Sequence, residues 1–426
     1  MTIFRSLSSR NFKLFVSGQS VSLIGTWMQK VAISWLVYKV TGSAFMLGLA
    51  MFASLIPSLV LSPYAGSYTD RHNRYTILLY SQLLLTLQSG LLAAVVFFKV
   101  YHISVILFLC LLQGIANAFD TTSRQSLLVD MIDRKEDLPN AIALNSSMTN
   151  LTRLIGPAIA GIVLSTLGED ACFFLNFLSY FFVIYSLKKM RLNLPAVLKK
   201  EENIWQALRD GYAYLRHTPD IASLIWLIGA YSLMVIPYTT LLPVFAKDVF
   251  KGGAAAFSWF ESATGLGALV GSIYIAGLKS SRKMINVVIY SSLLFSVGVL
   301  LLSSASGLLP AILFSGVAGL GMMALTSAIN TYIQTHVPDR MRGRALSYFI
   351  MAYQGIIPVG SLLIGALAGR FNVIGVTLAE GLFGVAATMG FVFWKKIMHR
   401  RKVKGRQLRV ESLSAMTVTD RFESLS

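Results

Sequence analysis

Six ionisable residues stand inside long apolar stretches of this sequence, where an isolated charge is costly and therefore marks a functional candidate. They are Lys30, Asp120, Arg124, Arg153, Glu261 and Glu380. A carboxyl group in such surroundings can bind and release a proton, and a cation can hold an anionic ligand or a carboxylate. Asp120 and Arg124 are four residues apart, so a helix would bring them to one face. The chemistry predicted for these residues is therefore ion binding and proton transfer.

The composition shows which elements must carry these residues. Of the 426 residues, 55% are hydrophobic and only 13% are charged, and the mean hydropathy is +0.65. Soluble domains have about 25% charged residues, so a soluble enzyme and a disordered chain are both excluded. Cys110 and Cys172 both belong to apolar runs, which gives no disulfide framework or metal spacing. The chain is predicted to be a polytopic membrane protein.

Twelve apolar runs are long enough to cross a bilayer, which takes about 20 residues per helix. They are Phe12–Tyr38, Phe45–Tyr68, Tyr75–Phe98, Ile103–Arg124, Ala141–Leu167, Ala171–Leu187, Ile221–Phe245, Ala254–Leu278, Ile285–Ala305, Leu308–Tyr332, Ala345–Ala368 and Val373–Trp394. A membrane helix satisfies its own backbone hydrogen bonds. We therefore predict an all-α membrane protein with twelve transmembrane helices.

The basic residues predict the orientation. An even number of spans places both termini on one side, and the segments on that side hold 29 Lys and Arg against 5 on the other. Cytoplasmic segments are the ones enriched in Lys and Arg. Both termini are therefore predicted to be cytoplasmic, and the net charge of +18 is assigned to membrane topology rather than to nucleic-acid binding.

The loop between the sixth and seventh runs divides the chain. Residues 1–188 form the first predicted domain and residues 220–396 the second. The linker, residues 189–219, has Trp205, Leu208, Tyr212 and Leu215 at helical spacing, which indicates either an amphipathic helix at the membrane surface or a solvated linker. Residues 397–426 are basic and then rich in Ser and Thr, which predicts a disordered cytoplasmic tail.

The two halves resemble each other weakly. Leu59-Val60 and Tyr80 align with Leu269-Val270 and Tyr290 at a constant offset of 210. A second offset of 204 places Ala141, Gly156 and Gly161 on Ala345, Gly360 and Gly365. Two parallel six-helix halves around a site at the membrane midplane are typical of secondary transporters, although apolar segments also match by chance.

A short motif follows the second run, Gly66-x-x-x-Asp70-Arg71-x-x-Arg74. It resembles the loop signature of the major facilitator superfamily. The stretches GTWMQ (25–29), WLVY (35–38), TGSA (41–44), DLPNAIALN (137–145) and RLIGPAIAG (153–161) resemble the bacterial branch that contains macrolide exporters and siderophore exporters of the enterobactin type. The resemblance covers about residues 10–396, and it implies the fold of that superfamily, with two pseudo-symmetric six-helix bundles.

The resemblance implies roles for the loop motif after the second run and for a Gly-Pro motif in the fifth. Gly66 is expected to let the second helix approach a neighbour closely, and Asp70, Arg71 and Arg74 are expected to form a latch in one conformation; alternatively, the two arginines only satisfy the positive-inside rule. Gly156-Pro157, with Gly161, predicts a close-packing bend of the fifth helix. In the superfamily such a motif indicates export, and a packing kink without directional meaning is the alternative.

The resemblance also suggests roles for the charged residues inside the apolar runs. Lys30 would face the substrate cavity or extend its amine towards the outer interface. Asp120 is expected to carry a coupling proton, to join the cytoplasmic latch, or to form a structural ion pair, with Arg153 within reach. Cys110 stands where proton antiporters of the superfamily usually have arginine, which counts against proton coupling. Glu261 is the second titrating candidate.

Other polar residues in the runs receive weaker predictions. Glu380 is assigned to a helix that usually only supports the bundle. Neutral side chains that could line the cavity, or only pack, are Trp27, Gln29, Asn150 and Gln354.

The sequence thus predicts a monomeric transporter of the bacterial inner membrane. It would export amphipathic molecules such as a drug, macrolide or siderophore by alternating access, with protons as the coupling ion and membrane lipids around it. A lipid or lysophospholipid flippase, an uptake permease and, last, a membrane-embedded enzyme are the alternatives. No nucleotide-binding loop, metal spacing or catalytic triad occurs in the sequence, so no cofactor is expected.

Overall fold

The computed structural model describes residues 5–192, 204–278 and 284–423. Within these ranges it describes all side chains except those of residues 70, 135, 204, 205, 207, 208 and 339 and of residues 399–423. The described chain is almost entirely helical. The helices of the first half are α1 (Arg10–Thr41), α2 (Ala44–Arg71), α3 (Arg74–Phe97), α4 (Ile103–Leu127), α5 (Leu138–Thr166) and α6 (Glu169–Lys189).

The second half begins with the linker helix α7 (Ile204–His217). It continues with α8 (Pro219–Met234), α9 (Tyr238–Val244), α10 (Gly253–Ala276), α11 (Met284–Ser303), α12 (Leu308–His336), α13 (Asp339–Ile350), α14 (Ile357–Arg370) and α15 (Val373–Glu423). Two π-helical turns interrupt the regular geometry, Phe245–Val249 after α9 and Met351–Gly355 between α13 and α14. Such turns are frequent at functional sites.

Every predicted apolar run overlaps a helix. Among the described residues, ten helical segments are long and apolar enough to cross a membrane. Helices α1 and α10 also coincide with predicted runs, but charged, amide and small side chains lower their hydropathy, and these two helices carry Lys30 and Glu261. Multiple membrane-crossing helices are therefore established, and the full number of twelve spans stays a prediction.

Two segments outside the apolar runs are also helical. The linker contains α7, which contacts α13 through an ion pair of 3.0 Å between Arg344 and Asp210 and through Gly211 against the ring of Tyr348. Helix α15 continues to Glu423, whereas the sequence predicted a disordered tail from residue 397. The helical backbone is compatible with a segment rich in good helix formers and free of proline.

The helices alternate in direction and so define two faces of the molecule. We call the face with the start of α1 and the end of α6 the near face; there Asn11 donates a hydrogen bond to the Arg191 carbonyl (2.9 Å). The opposite side, with the end of α1 and the start of α6, is the far face; there Lys39 pairs with Glu169 (2.7 Å).

Helix contacts position the site. In the first half α1 packs on α5 and α6, and α4 packs on α2 and α3. In the second half α12 packs on α10 and α11, and α15 packs on α11 and α8. The largest contacts between the first-half and second-half helices are α2 with α14 and α5 with α10. The interface between the halves is therefore built on two helix pairs, and the charged residues of α1, α5 and α10 lie along it.

Candidate functional site

Two cations lie beside the same aromatic ring near the middle of α1. The Lys30 ammonium is 4.7 Å from the centre of the Trp27 ring, and the Arg153 guanidinium of α5 is 5.7 Å from it. Both distances are within the range of cation–π attraction. The spacing of three residues puts Trp27 and Lys30 on one face of α1, and α5 brings Arg153 to that face.

Glu261 of α10 completes the group, which we call the central cluster: Trp27, Lys30, Arg153 and Glu261. Lys30 interacts electrostatically with Glu261 and is repelled by Arg153. Among the described residues, the structure shows no direct ion pair of Lys30, so its charge is balanced at a distance. Two cations and one carboxylate give the cluster a net positive character, which suits an anionic ligand.

The central cluster borders an accessible space. Lys30 lies deep among the helices, yet its side chain is exposed. Its electrostatic partners come from α5 and α10, so this exposure is to a space between the helices rather than to lipid. Of the two predictions for Lys30, the structure favours the cavity over extension towards the outer interface.

Glycines on either side of Pro157 on α5 allow three helices to approach closely. A Cβ at Gly156 would collide with the Cβ of Trp27 on α1, and a Cβ at Gly161 would lie 2.6 Å from the Cβ of Ser258 on α10. On α10, a Cβ at Gly265 would lie 2.9 Å from the Arg153 carbonyl oxygen. Pro157 lies inside the helix, where it removes one backbone donor. The motif therefore sets the distances among α1, α5 and α10 on which the central cluster depends.

The far face is closed above the cluster. The Tyr38 hydroxyl at the end of α1 donates a hydrogen bond to Asp248 in the π-helical turn Phe245–Val249. The Lys247 ammonium lies 5.2 Å from the centre of the Tyr38 ring. One turn deeper, Trp35 stacks on Phe257 of α10 at 6.4 Å. Contacts between the halves thus shut this end, a closure that the sequence analysis did not predict.

Asp120 and Arg124 form a separate site on α4. The Arg124 Nε atom is 3.4 Å from Asp120 Oδ2, an ion pair without hydrogen-bond geometry. Gln82 of α3 donates a hydrogen bond of 2.6 Å to the other Asp120 oxygen. The structure places Arg153 beside Trp27 of α1, whereas the partners that it shows for Asp120 are Arg124 and Gln82. The two groups of charges are therefore distinct.

The loop motif lies on the near face. Arg71 is exposed, and Arg74 approaches Asp130 (3.5 Å) and the Ser126 carbonyl (3.4 Å) at the end of α4. The side chain of Asp70 lies outside the described part of the structure, so the latch stays a prediction. A Cβ at Gly66 would meet no atom within 4 Å. Gly66 therefore has no close neighbour at that position in this conformation, and its close approach to another helix stays a prediction.

The neutral candidates divide into two groups. Gln29 is fully buried and joins α1 to its neighbours, because it donates to Gln88 (3.1 Å) and accepts from Asn176 (2.7 Å). Gln354 is exposed within the π-helical turn Met351–Gly355, and Asn150 is partly exposed on α5. Gln29 is thus an interhelical bridge. Within the described residues, no group of three His, Cys, Asp or Glu side chains could hold a metal ion.

Membrane-length helices arranged around a central charged cluster, with one end shut by contacts between two halves, are typical of multi-pass membrane transporters. A family profile described as "Transmembrane secretion effector" matches residues 1–416. The chain belongs to this family, a branch of the major facilitator superfamily. The resemblance inferred from the loop motif and the branch-specific stretches is confirmed.

Similar proteins are transporters of several cargoes. The chain is 27% identical to the staphyloferrin A transporter of Staphylococcus aureus, over 89% of this chain and 95% of that protein. It is 23% identical to macrolide efflux protein A of Streptococcus pyogenes, covering 84% of this chain and 89% of that protein. It is also 23% identical to the enterobactin exporter of Escherichia coli, covering 88% and 89%.

A solved structure confirms the general fold. The nucleoside transporter NupG superposes with a TM-score of 0.72, covering 90% of this chain and 98% of that one, at 14% identity. Identity this low supports the fold alone, and it says nothing about cargo.

Proposed function

We propose that the protein exports an amphipathic organic molecule, of net negative charge, from the bacterial cytoplasm by alternating access. The observation that supports this proposal most strongly is the central cluster, in which two cations lie beside the Trp27 ring at the junction of α1, α5 and α10. An aromatic face flanked by cations binds the apolar and the anionic parts of one ligand together. A siderophore fits this description better than a macrolide, whose amine is cationic.

The proposed architecture is two six-helix bundles with twelve spans. The contacts of α2 with α14 and of α5 with α10 form the seam about which the bundles would tilt. Because Tyr38 and Asp248 join the halves at the far face, alternating access would open this conformation towards the near face. The excess of Lys and Arg there supports a cytoplasmic near face, so cargo would enter from the cytoplasm. Both termini then lie in the cytoplasm and the protein lies in the inner membrane.

The proposed direction of transport, out of the cell, is supported by the names of the relatives and by the Gly156-Pro157 motif of α5. Macrolide efflux protein A and the enterobactin exporter are exporters by name, and the Gly156-Pro157 bend occurs where exporters of the superfamily have it. Protons are proposed as the coupling ion, and the protein is proposed to act as a monomer surrounded by lipid. The latch of Gly66, Asp70, Arg71 and Arg74 would close the near face in the opposite conformation.

The test is transport into inverted membrane vesicles that contain the overproduced protein. A trianionic siderophore, a macrolide and a fluorescent lysophospholipid serve as probes. Lys30→Gln should lower uptake of the siderophore about tenfold, the effect of losing about 1.4 kcal/mol of binding. Lys13→Gln is the matched control, because Lys13 is an exposed residue of the same helix on the near face, and it should leave uptake unchanged.

Each other outcome identifies a rival function. Movement of the lysophospholipid that survives joint Asp120→Asn and Glu261→Gln substitution would establish a flippase, since that activity needs no titrating carboxylate. Siderophore leaving the vesicles against its gradient would establish an uptake permease. Preference for the macrolide over the siderophore would refute the anionic-cargo proposal.

A further inference from the structure

Glu380 on α15 is a buried carboxyl group with no ion-pair partner in the described part of the structure. The residue is 0% exposed, neither oxygen of its carboxyl group forms a hydrogen bond of normal geometry, and the Thr377 hydroxyl of the same helix is the polar group beside it. An ionised carboxylate without a counter-ion is very costly in an apolar interior. We therefore expect the Glu380 carboxyl group to be a neutral acid in this conformation, with its proton buried among the helices of the second half.

The equivalent position of the first half has no acid. Helices α6 and α15 start 204 positions apart, and the same offset pairs Asn176 with Glu380. Asn176 is also 0% exposed, but it donates to Gln29 (2.7 Å) and accepts from Ser179 (3.1 Å). A neutral amide thus satisfies the fold at this place. Packing alone does not require a carboxyl group at Glu380, so its acidity is the feature to explain.

The charged and titratable groups around Glu380 leave it without a base. Helix α11, the main neighbour of α15, contains no Asp, Glu, Lys, Arg or His. Helix α14 contributes only Arg370, at its far-face end. On α8, Asp220 is paired with Lys395 at 2.7 Å. The Tyr231 hydroxyl is occupied by Ser292, Ser296, Gly384 and Thr388 at 2.7–2.9 Å.

Tyr238 of α9 is a titratable side chain within electrostatic range of Glu380. Its ring is fully buried, and it interacts electrostatically with Glu380 and also with Glu261 and Arg153 of the central cluster. Tyr238 is thus close enough to sense both the cluster and Glu380. It is also the first residue after the break between α8 and α9. Movement at this break would change the barrier between the buried acid and the cavity.

We propose that Glu380 is a proton-binding site, occupied while the far face is closed and opened to the cavity by movement of the break between α8 and α9. This inference rests on the alternating access of the proposed function and identifies where its coupling proton binds. Release of the proton leaves a carboxylate that the closed structure cannot hold, so deprotonation favours the far-face-open conformation.

Infrared spectroscopy of the purified full chain tests the protonation directly. The difference between wild type and Glu380→Gln at neutral pH should show the loss of one neutral carboxylic acid band. Glu136→Gln, at an exposed residue on the near face, should show the loss of a carboxylate band instead. Loss of a carboxylate band in Glu380→Gln would overturn the proposal, because the acid would then be ionised in the resting protein.

The distance between spin labels tests the link to conformation and needs no substrate. Val100→Cys and Ser306→Cys place labels at exposed far-face positions of the two halves, while both native cysteines are buried. Raising the pH should lengthen the wild-type distance as Glu380 loses its proton. Glu380→Gln should keep the short distance at every pH, and Glu136→Gln, at an exposed near-face residue, should retain the wild-type shift.

The outcomes separate this proposal from the proposed function. A wild-type pH shift that persists in Glu380→Gln would overturn the role of Glu380 and leave export, measured in vesicles, standing. The absence of any pH shift in the wild type would overturn it as well, and so would closure driven by Na⁺ at constant pH. Failure of vesicle transport with a Glu380-dependent shift would instead refute the export proposal alone.

Discussion

Replacing Tyr38 with phenylalanine should loosen the closed far face without unfolding the protein. The substitution removes the hydroxyl that donates to Asp248 and retains the ring. A hydrogen bond to a charged group contributes about 1.5–3 kcal/mol, and about 1.4 kcal/mol changes an equilibrium tenfold. The ratio of closed to open far face should therefore fall about ten- to hundredfold. The Trp35–Phe257 stack remains, so folding should be retained.

The assay measures how fast a thiol reagent reaches a residue beneath the closure. Val244 lines the far-face pocket with Tyr38 and Asp248 and is only 6% exposed, so Val244→Cys reacts mainly when this face opens. Its labelling rate in purified protein should rise about tenfold or more in the presence of Tyr38→Phe. Tyr80→Phe is the matched control, because Tyr80 is 67% exposed on α3. Equal labelling rates in Tyr38→Phe and wild type would refute the assignment of Tyr38 as a closing contact.

Three further substitutions test helix packing and the near-face latch. Gly156→Ala should lower the thermal stability of the purified protein by about 1–3 kcal/mol, because the added methyl group would collide with Trp27. Gly390→Ala is the control: a Cβ there meets no atom within 4 Å, so this substitution measures the helix-propensity gain alone. Equal effects of the two substitutions would contradict the contact between Gly156 and Trp27. Gly66→Ala should show the same small helix-propensity gain as Gly390→Ala, because its surroundings are open here. It should nevertheless slow transport if α2 closes on a neighbour in the opposite conformation; normal transport would remove that role. Asp70→Asn should reduce vesicle transport while membrane insertion stays normal, and full transport would exclude the latch.

The sequence predicted the helices well because hydrophobicity over about 20 residues is a strong signal. It also located the charged residues of the central cluster. It could not predict which faces of the helices meet, because periodicity gives the residues that share a face but not the neighbour of that face. Arg153 was therefore expected within reach of Asp120, whereas the structure places it beside Trp27.

Contacts between distant positions in the chain were missed for the same reason. Gln82 and Asp120 are separated by 38 positions, and Tyr38 and Asp248 by 210. The π-helical turn that carries Asp248 has no sequence signature that hydrophobic periodicity detects. The importance of Glu380 also depended on structure, because only the packed helices show that its carboxyl group is fully buried without an ion-pair partner.

Vesicle transport with a controlled proton gradient tests the central claim most directly. Purified protein is reconstituted into liposomes in both orientations, and only the molecules whose near face points outward can take up cargo from the outside. With an acidic interior, labelled anionic siderophore outside should accumulate inside through molecules whose near face points outward, and Lys30→Gln should reduce this accumulation. Passive equilibration that ignores the gradient, or accumulation unaffected by Lys30→Gln, would contradict an exporter working through the central cluster.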